Sequence, residues 1–290
     1  MSFPYRNQRI HIWGVVNATP NSFSDGGEIT SSETFARRLQ DWQHLDGLDV
    51  GAESTAPKNT AISAAEERQR LELILVPHLK TWPRTLVLSL DTYHLETAEW
   101  LIPQIPQDVQ VVWNDVSGKI EPAVIKLLQA HPRLRYVLCF NQVPERALTG
   151  QHMQHTTPGP IVARARSFFR ESFEVFLRHE LFSRVIADPC FGFSKTREQN
   201  HQLLDQLPIL MDELACPVWM WGVSRKSFLR FPAEAPIQRE ALDGLGLLWI
   251  NTALDKLTHP HTIVLRTHAP LLANALGDWQ QLRDQWTPNS

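Results

Sequence analysis

Eight apolar runs along this chain end in groups that can hydrogen-bond or carry charge. The ends are Asn17, Glu53-Ser54-Thr55, Asp91, Asn114, Asn141, Asp188, Ser224-Arg225-Lys226 and Arg266-Thr267-His268. Any one of them can be explained as a turn or cap residue, because Asn, Asp and Ser close turns readily. The recurrence at every run points instead to strand ends that meet at one place. Asp91, Asn114 and Asp188 would then set two carboxylates and an amide on separate strands. That combination suits the donor and acceptor edge of a flat heterocycle, since unpaired polar edges inside a pocket are costly. Arg266 and His268 stand two residues apart, so both side chains leave the same face of a strand. Together with Asn17 they could hold a phosphate or pyrophosphate. The turn Ser224-Arg225-Lys226-Ser227 is compactly cationic; in isolation such a turn reads as a solvated charge pair.

The elements that must carry these residues alternate regularly. The β-type runs are residues 11–17, 48–51, 85–91, 109–114, 134–141, 184–188, 217–224 and 262–268, each rich in Val, Ile, Leu or aromatics as buried strands require. Helical spacing appears between them. Phe35, Leu39, Trp42 and Leu45 follow a capping box at Thr30-Ser31-Ser32-Glu33, and Leu71, Leu75 and Leu79 follow a second at Ser63-Ala64-Ala65-Glu66. Phe169, Phe173, Phe176 and Leu177 mark a third helix, and Leu203, Leu204, Leu207, Leu210, Met211 and Leu214 a fourth. Eight strands in 290 residues allow about 36 residues per strand–helix unit, which fits a single α/β domain over residues 1–290 folded as an eightfold β/α (TIM) barrel. A doubly wound sheet is the runner-up; it would ordinarily carry a G-x-G-x-x-G loop after an early strand, and the chain has none. In a barrel the loops after strands seven and eight often bind phosphate, which changes the reading of the Ser224–Ser227 turn. The Pro-, His- and Gln-rich residues 142–160 read as a long loop over the mouth.

Composition narrows the partners. Lys plus Arg number 28 against 31 for Asp plus Glu, a net charge of −3, without the basic excess of a nucleic-acid binder. No apolar run approaches the roughly 18 residues of a membrane span, and the first residues lack the basic start and apolar stretch of a secretory signal. Cys139, Cys190 and Cys216 are odd in number and unpaired in spacing, as expected of a reduced cytoplasmic protein. Cys139 and Cys190 read as small packing residues. His152-Met153-Gln154-His155 has a metal-like spacing but lies in a Pro- and Gly-containing stretch, so zinc is not expected there. His259 and His261, flanking Pro260, are expected to face solvent at the bottom of the barrel. Trp113 should point to the helices if Asn114 points to the barrel axis.

Seven stretches, taken in order, resemble the signatures of the dihydropteroate synthase family. They are residues 15–27 (VVNATPNSFSDGG), 49–57 (DVGAESTAP), 89–92 (SLDT), 114–118 (NDVSG), 188–195 (DPCFGFSK), 224–227 (SRKS) and 266–268 (RTH). That family joins a pterin methyl diphosphate to p-aminobenzoate and releases pyrophosphate. The resemblance implies that Asp91, Asn114, Asp188 and Lys226 hold the pterin, with Arg266 lying against it. It places Asn17 on a Mg²⁺ ion at the diphosphate, and Arg266 and His268 on the phosphate oxygens. Phe23, Thr55, Pro57, Phe193 and Ser227 would line the p-aminobenzoate site, and Asp25 would sit on the first loop as it closes over the reacting centre. The catalytic set it implies is Asp25, Asp91, Lys226 and Arg266. The partners implied are these two small molecules, with no nucleic acid and no membrane; a homodimer is compatible with the resemblance.

The physics suits those roles. A benzylic-type pterin carbon loses pyrophosphate most easily if positive charge can build on it. Carboxylates near the ring stabilise that charge, while a cation and Arg266 and His268 stabilise the leaving anion. An arylamine is a weak nucleophile, so the protein supplies mainly positioning and fields. The chain also departs from the family. Ala56 stands where Arg is usual and Asn21 where Asp is usual. Leu138-Cys139-Phe140-Asn141 replaces a Met-His-Met type of segment, and Trp219 and Trp221 add bulk near the seventh strand. The pterin floor is therefore expected to be kept and the second-substrate side altered. Two alternatives stay open at this point: a pterin-binding paralogue with weak or no condensation activity, and a methyltetrahydrofolate methyltransferase.

Overall fold

The computed structural model describes residues 3–5, 7–18, 31–42, 45–53, 60–230, 238–271, 273–275 and 278. Strand β1 (Phe3–Tyr5) runs antiparallel to β2 (Gln8–Asn17), a short hairpin that the sequence did not announce. The chain then alternates: α1 (Ser32–Trp42), β3 (Gly47–Gly51), α2 (Ala64–Ile74), β4 (Val87–Asp91), α3 (Leu95–Leu101), β5 (Val111–Asp115), α4 (Pro122–Ala130), β6 (Arg135–Cys139), α5 (Ile161–Arg178), β7 (Val185–Asp188), α6 (Arg197–Leu214), β8 (Val218–Trp221), α7 (Arg239–Lys256) and β9 (Thr262–Thr267). Strands β2 to β9 pair in order and in parallel, and β9 pairs back onto β2, opposing Trp13 to Arg266. This is the expected eightfold β/α barrel. Each predicted run contains or overlaps its strand; the runs 85–91 and 109–114 begin two residues before their strands, and 134–141 and 217–224 continue two and three residues past theirs.

Alternation along each strand separates two cores. Trp13, Val112, Val137, Cys139, Ile186, Met220 and Val264 pack together inside the barrel. Their immediate neighbours Ile12, Trp113, Tyr136, Leu138, Ala187, Trp219, Trp221, Ile263 and Leu265 pack outward beneath the helices. Trp113 thus faces the helix layer, its indole N–H donating to Thr92 O at 2.8 Å, as expected. Trp219 and Trp221 also face outward and are fully buried, Trp219 edge-on to Phe169 and Trp221 beside Trp249. Their bulk fills the helix layer, not the mouth, so the expected crowding by these two residues is corrected.

Helix ends follow local chemistry. The Ser63 hydroxyl accepts from Glu66 N at 3.2 Å, the predicted cap of α2. The cap of α1 is Ser31, whose hydroxyl accepts from Thr34 N, one residue later than the predicted box. Pro77 ends regular α-helix after α2, so Leu79 lies in a 3-10 turn (Val76–Thr81). Helix α6 opens with a reciprocal capping box between Thr196 and Gln199, worth about 1 kcal/mol. In α5, Phe169, Phe173 and Phe176 are buried, but Leu177 is 56% exposed, because it falls one position round from the buried face. The stretch expected to be a loop over the mouth contains 3-10 helix at Arg146–His155.

Candidate active site

The carboxyl ends of the parallel strands open into a cavity of about 340 Å³. Asn17, Asp91, Asn114, Asp188, Phe193, Lys226, Ser227, Arg266 and His268, all expected from the sequence, line it together. Ladder register explains the convergence: Asp91 pairs with Asn114 across β4 and β5, and Cys139 pairs with Asp188 across β6 and β7. Phe23, Asp25, Thr55 and Pro57, and with them Asn21 and Ala56, lie outside the described residues.

Arg266 is tied to the barrel rather than free for an anion alone. Its Nε donates to Asp49 and its Nη2 to Asp91 at 2.6 Å. Burial alone would weaken its hold on the proton, but these two carboxylates more than reverse that and raise its pKa. Asp91 is pushed up to about 7, by burial first and then by the Asp49 carboxylate, with Arg266 pulling the other way. Asp188 is raised by burial, against the Cys190 N–H that donates to its Oδ1 at 2.6 Å and against Lys226. The Lys226 ammonium is lowered by burial and by Arg266, and it lies 5.1 Å from the centre of the Phe193 ring. Two carboxyls biased towards neutrality beside an ammonium biased the same way mark a site that a polar ligand would complete.

The loop after β7 is shaped to bring Phe193 and Asp188 to the same wall. Cys190, Gly192 and Ser194 all take positive φ. At Gly192 a Cβ would stand 3.4 Å from Lys226 Cδ in a backbone conformation that disfavours one. Lys195, 1% exposed, fastens the loop from beneath: its Nζ donates to Phe140 O at 2.6 Å, Cys190 O at 2.9 Å and Phe193 O at 3.0 Å. Burial lowers this amine to about 8. The β8 turn is organised by Asp243 of α7, which accepts from Ser224 Oγ at 2.6 Å and from Arg225 Nε at 3.3 Å. The His268 N–H donates to the same Ser224 hydroxyl at 3.1 Å. The turn is thus held by a buried carboxylate and is not merely solvated.

Several site groups escaped the sequence reading. Asp49 is fully buried and accepts from Ser89 Oγ, Asn114 Nδ2 and Arg266 Nε. His152 is buried at the cavity wall, accepts the Ser194 N–H at Nδ1 and lies 4.3 Å from the Phe193 ring centre. The Cys139 thiol sits 3.9 Å from both Asn114 Oδ1 and Asp188 Oδ2, and burial raises its pKa well above the ordinary value. Cys139, Cys190 and Cys216 are buried and unpaired, as expected of packing residues. At the opposite end, His261 is buried against Asp212, its Nε2 3.0 Å from Oδ1, so the expected solvent exposure is wrong for His261 and right for His259, whose side chain is 68% exposed. No group of three or more His, Cys, Asp or Glu able to hold a metal is present among the described residues. No described helix is long and apolar enough to cross a membrane.

A barrel whose strand ends carry this polar floor matches a known family model. Residues 13–252 match the model described as pterin binding enzyme, so the chain belongs to that family. Relatives of the chain include proteins named dihydropteroate synthase. The chain is 32% identical over 248 residues to the dihydropteroate synthase of Synechocystis sp., covering 82% of this chain and 80% of that one. Among solved structures it is similar to the Xanthomonas albilineans dihydropteroate synthase with 4-aminobenzoic acid, at 27% identity and a TM-score of 0.73, over 94% of this chain and 93% of the other. It is equally similar to the Thermus thermophilus enzyme in complex with 4-aminobenzoate, at 27% identity and a TM-score of 0.72, over 97% of this chain and 100% of the other.

Proposed function

We propose that the chain is a transferase that condenses 6-hydroxymethyl-7,8-dihydropterin diphosphate with p-aminobenzoate to give 7,8-dihydropteroate and pyrophosphate. The observation that carries this is the gathering of Asp91, Asn114, Asp188, Lys226 and Arg266 around one cavity at the carboxyl ends of the strands. Asp188 and Asn114 bind the pterin edge, and Lys226 and Arg266 flank the ring and the departing phosphate. His268 and Asn17, at the ends of neighbouring strands, face the diphosphate. Phe193 and Ser227 border the arylamine, completed by Phe23, Thr55 and Pro57, with Asp25 on the closing loop.

The residues present suit Mg²⁺ carried in on the substrate. Mg²⁺ keeps several waters and takes few protein ligands beside phosphate oxygens, and Asn17 brings a side-chain amide to the cavity wall. When bound, the ion supplies charge neutralisation on the leaving diphosphate. The chain's own residues do the rest: Asp91 and Asp188 favour positive charge at the pterin carbon, Arg266 and Lys226 favour negative charge on the departing oxygen, and the aromatic wall aligns the amine. The three buried unpaired cysteines support a reducing, cytoplasmic setting. The test is pyrophosphate release from the pterin diphosphate in the presence of Mg²⁺, with and without p-aminobenzoate. Release that depends on the arylamine is the expected result; pterin binding with no release would leave a binding protein.

A further inference from the structure

Asp49 occupies an unusual place. It is fully buried at the middle of β3, outside the cavity lining, yet it touches two residues of that lining, Asn114 and Arg266, as well as Ser89. Ser89 Oγ donates to Oδ1 at 2.5 Å; Asn114 Nδ2 donates to Oδ2 at 3.0 Å; Arg266 Nε donates to the same Oδ2. A carboxylate beside a guanidinium offers only acceptors, so the end of the Asn114 amide that faces it must be the NH₂ group. The carbonyl oxygen Oδ1 is then left on the other side of the amide, where the Cys139 thiol lies 3.9 Å away, and Asn114 is one of the residues that line the cavity. Asp188, the next polar group round the wall, is also an acceptor, its Oδ1 already taken by the Cys190 N–H.

We propose that Asp49 is a positioning residue that sets the hydrogen-bonding polarity of the pterin floor. By taking the Asn114 NH₂ it turns that amide's oxygen to the ligand. The floor then selects a heterocycle edge built from adjacent N–H donors and rejects one that carries an acceptor there. The same carboxylate fixes the plane of the Arg266 guanidinium through Nε, so amide and guanidinium are oriented together before any ligand arrives. This inference rests on the reading above, that the cavity takes a pterin. Without Asp49 an amide is free to rotate by half a turn, exchanging its two ends at little steric cost, and the floor loses its polarity without losing its shape.

The probes are 6-hydroxymethylpterin and 6-hydroxymethyllumazine, which differ at C2, an amino donor against an oxo acceptor, and at the adjoining N1, a bare acceptor against an N–H donor. Calorimetric titration of the wild-type protein should favour the pterin by roughly 10–100-fold, because an acceptor facing an acceptor leaves both unpaired. In Asp49→Asn the new side chain can donate to Asn114 Oδ1 and let its NH₂ turn inward, and the preference should shrink by about tenfold or more. A merely structural role would lower both affinities together. An unchanged ratio in Asp49→Asn, whatever happens to the absolute affinities, overturns the proposal. A second measurement needs no variant. In the wild-type protein labelled with ¹⁵N asparagine, the Asn114 NH₂ should be protected from solvent exchange before ligand is added. An NH₂ that exchanges freely and becomes protected only with pterin would place Nδ2 in the cavity, and the proposal would fall. If the wild-type protein binds neither probe, the reading of the cavity fails instead, and the NH₂ measurement still decides the orientation of Asn114.

Discussion

The two ends of the barrel both bury charge, and they treat it oppositely. At the end where the strands begin, Arg133, Arg184 and Asp212 take their partners from the chain itself. Arg133 donates to Ile105 O, Pro106 O and Val109 O at 2.6–2.7 Å. Arg184 Nη1 reaches Leu128 O at 2.8 Å and His131 O at 2.9 Å. Asp212 accepts from Thr258 N at 2.9 Å, Thr258 Oγ1 at 2.6 Å and His261 Nε2 at 3.0 Å. Burial alone would raise the Asp212 carboxyl, but these donors bring it down to about 2. At the mouth, Asp91 and Asp188 are raised and Lys226 is lowered, each by burial first. Burial also lowers Arg133 and Arg184 at the bottom, as it lowers Lys226 at the mouth. What differs is whether the partners come from the protein or are left for a ligand to supply.

The strongest break of this comparison is Lys226→Met. Methionine keeps most of the stem over Phe193 and removes the cation. If Lys226 serves the ligand, kcat/KM should fall by about 10²–10³, the usual loss for one positioned electrostatic donor. The melting temperature should hold or rise, since an ammonium kept against its own burial does not stabilise the empty fold. A clear drop in melting temperature with an unchanged rate would make the mouth a structural ion cluster like the bottom. Asp188→Asn is the next in size. Losing a charge-assisted hydrogen bond should cost about 1.5–3 kcal/mol of pterin affinity, roughly 10–100-fold, and titration calorimetry against the wild type reads it directly.

The mouth was legible in the sequence because alternation is local. A polar residue closing an apolar run must share its face with residues two and four positions back, so Asp91, Asn114, Asp188 and Arg266 could be placed from the pattern alone. Asp49 was overlooked because it stands inside a run and not at its end. The signal was there in the period of two that links Asp49, Gly51 and Glu53. The bottom was less legible because its partners are remote: His261 meets Gln8 across 253 residues and Asp212 across 49. No local rule could bury His261 beside a proline. Lys195 has no role readable in the sequence, since its three carbonyl partners gather only when the loop after β7 closes over it. The outward turn of Trp219 and Trp221 follows from the same alternation that places Trp113.

The comparison sharpens when pH is varied. Asp91 in the folded protein titrates near 7, above its value of about 3.9 in an unfolded chain. Its ionised form is the one that stabilises positive charge at the pterin carbon. The rate kcat/KM should therefore rise through about pH 7, and Asp91→Asn should be slow and lack that rise. Stability runs the other way: a carboxyl whose folded pKa is raised favours folding less as pH climbs from its unfolded pKa through its folded one. The same variant should then flatten the loss of stability on that limb. A rise in rate through pH 7 that persists in Asp91→Asn would assign it to another group, such as the substrate diphosphate.

The smallest expected effect lies at the bottom, and it has the opposite sign. Asp212 has a folded pKa of about 2, below its unfolded value. Its contribution to stability is present above about pH 3.9 and is lost as pH falls towards 2. Asp212→Asn keeps the shape and removes the charge that Thr258, His259 and His261 were arranged to meet. We expect a loss of about 1–2 kcal/mol at neutral pH, a fall of roughly 2–6 °C in melting temperature. The variant should approach the wild type in strongly acidic buffer, where Asp212 is protonated in both states of the wild-type protein. Turnover at neutral pH and 25 °C should be unchanged, because Asp212 sits at the opposite end of the strands from the cavity. Thermal melts from pH 2 to 7, paired with one rate measurement, read both halves of the claim. A difference in stability that does not shrink with acid would mean that Asp212 acts through packing rather than charge. A lowered rate with the melt unchanged would erase the distinction between the two ends altogether.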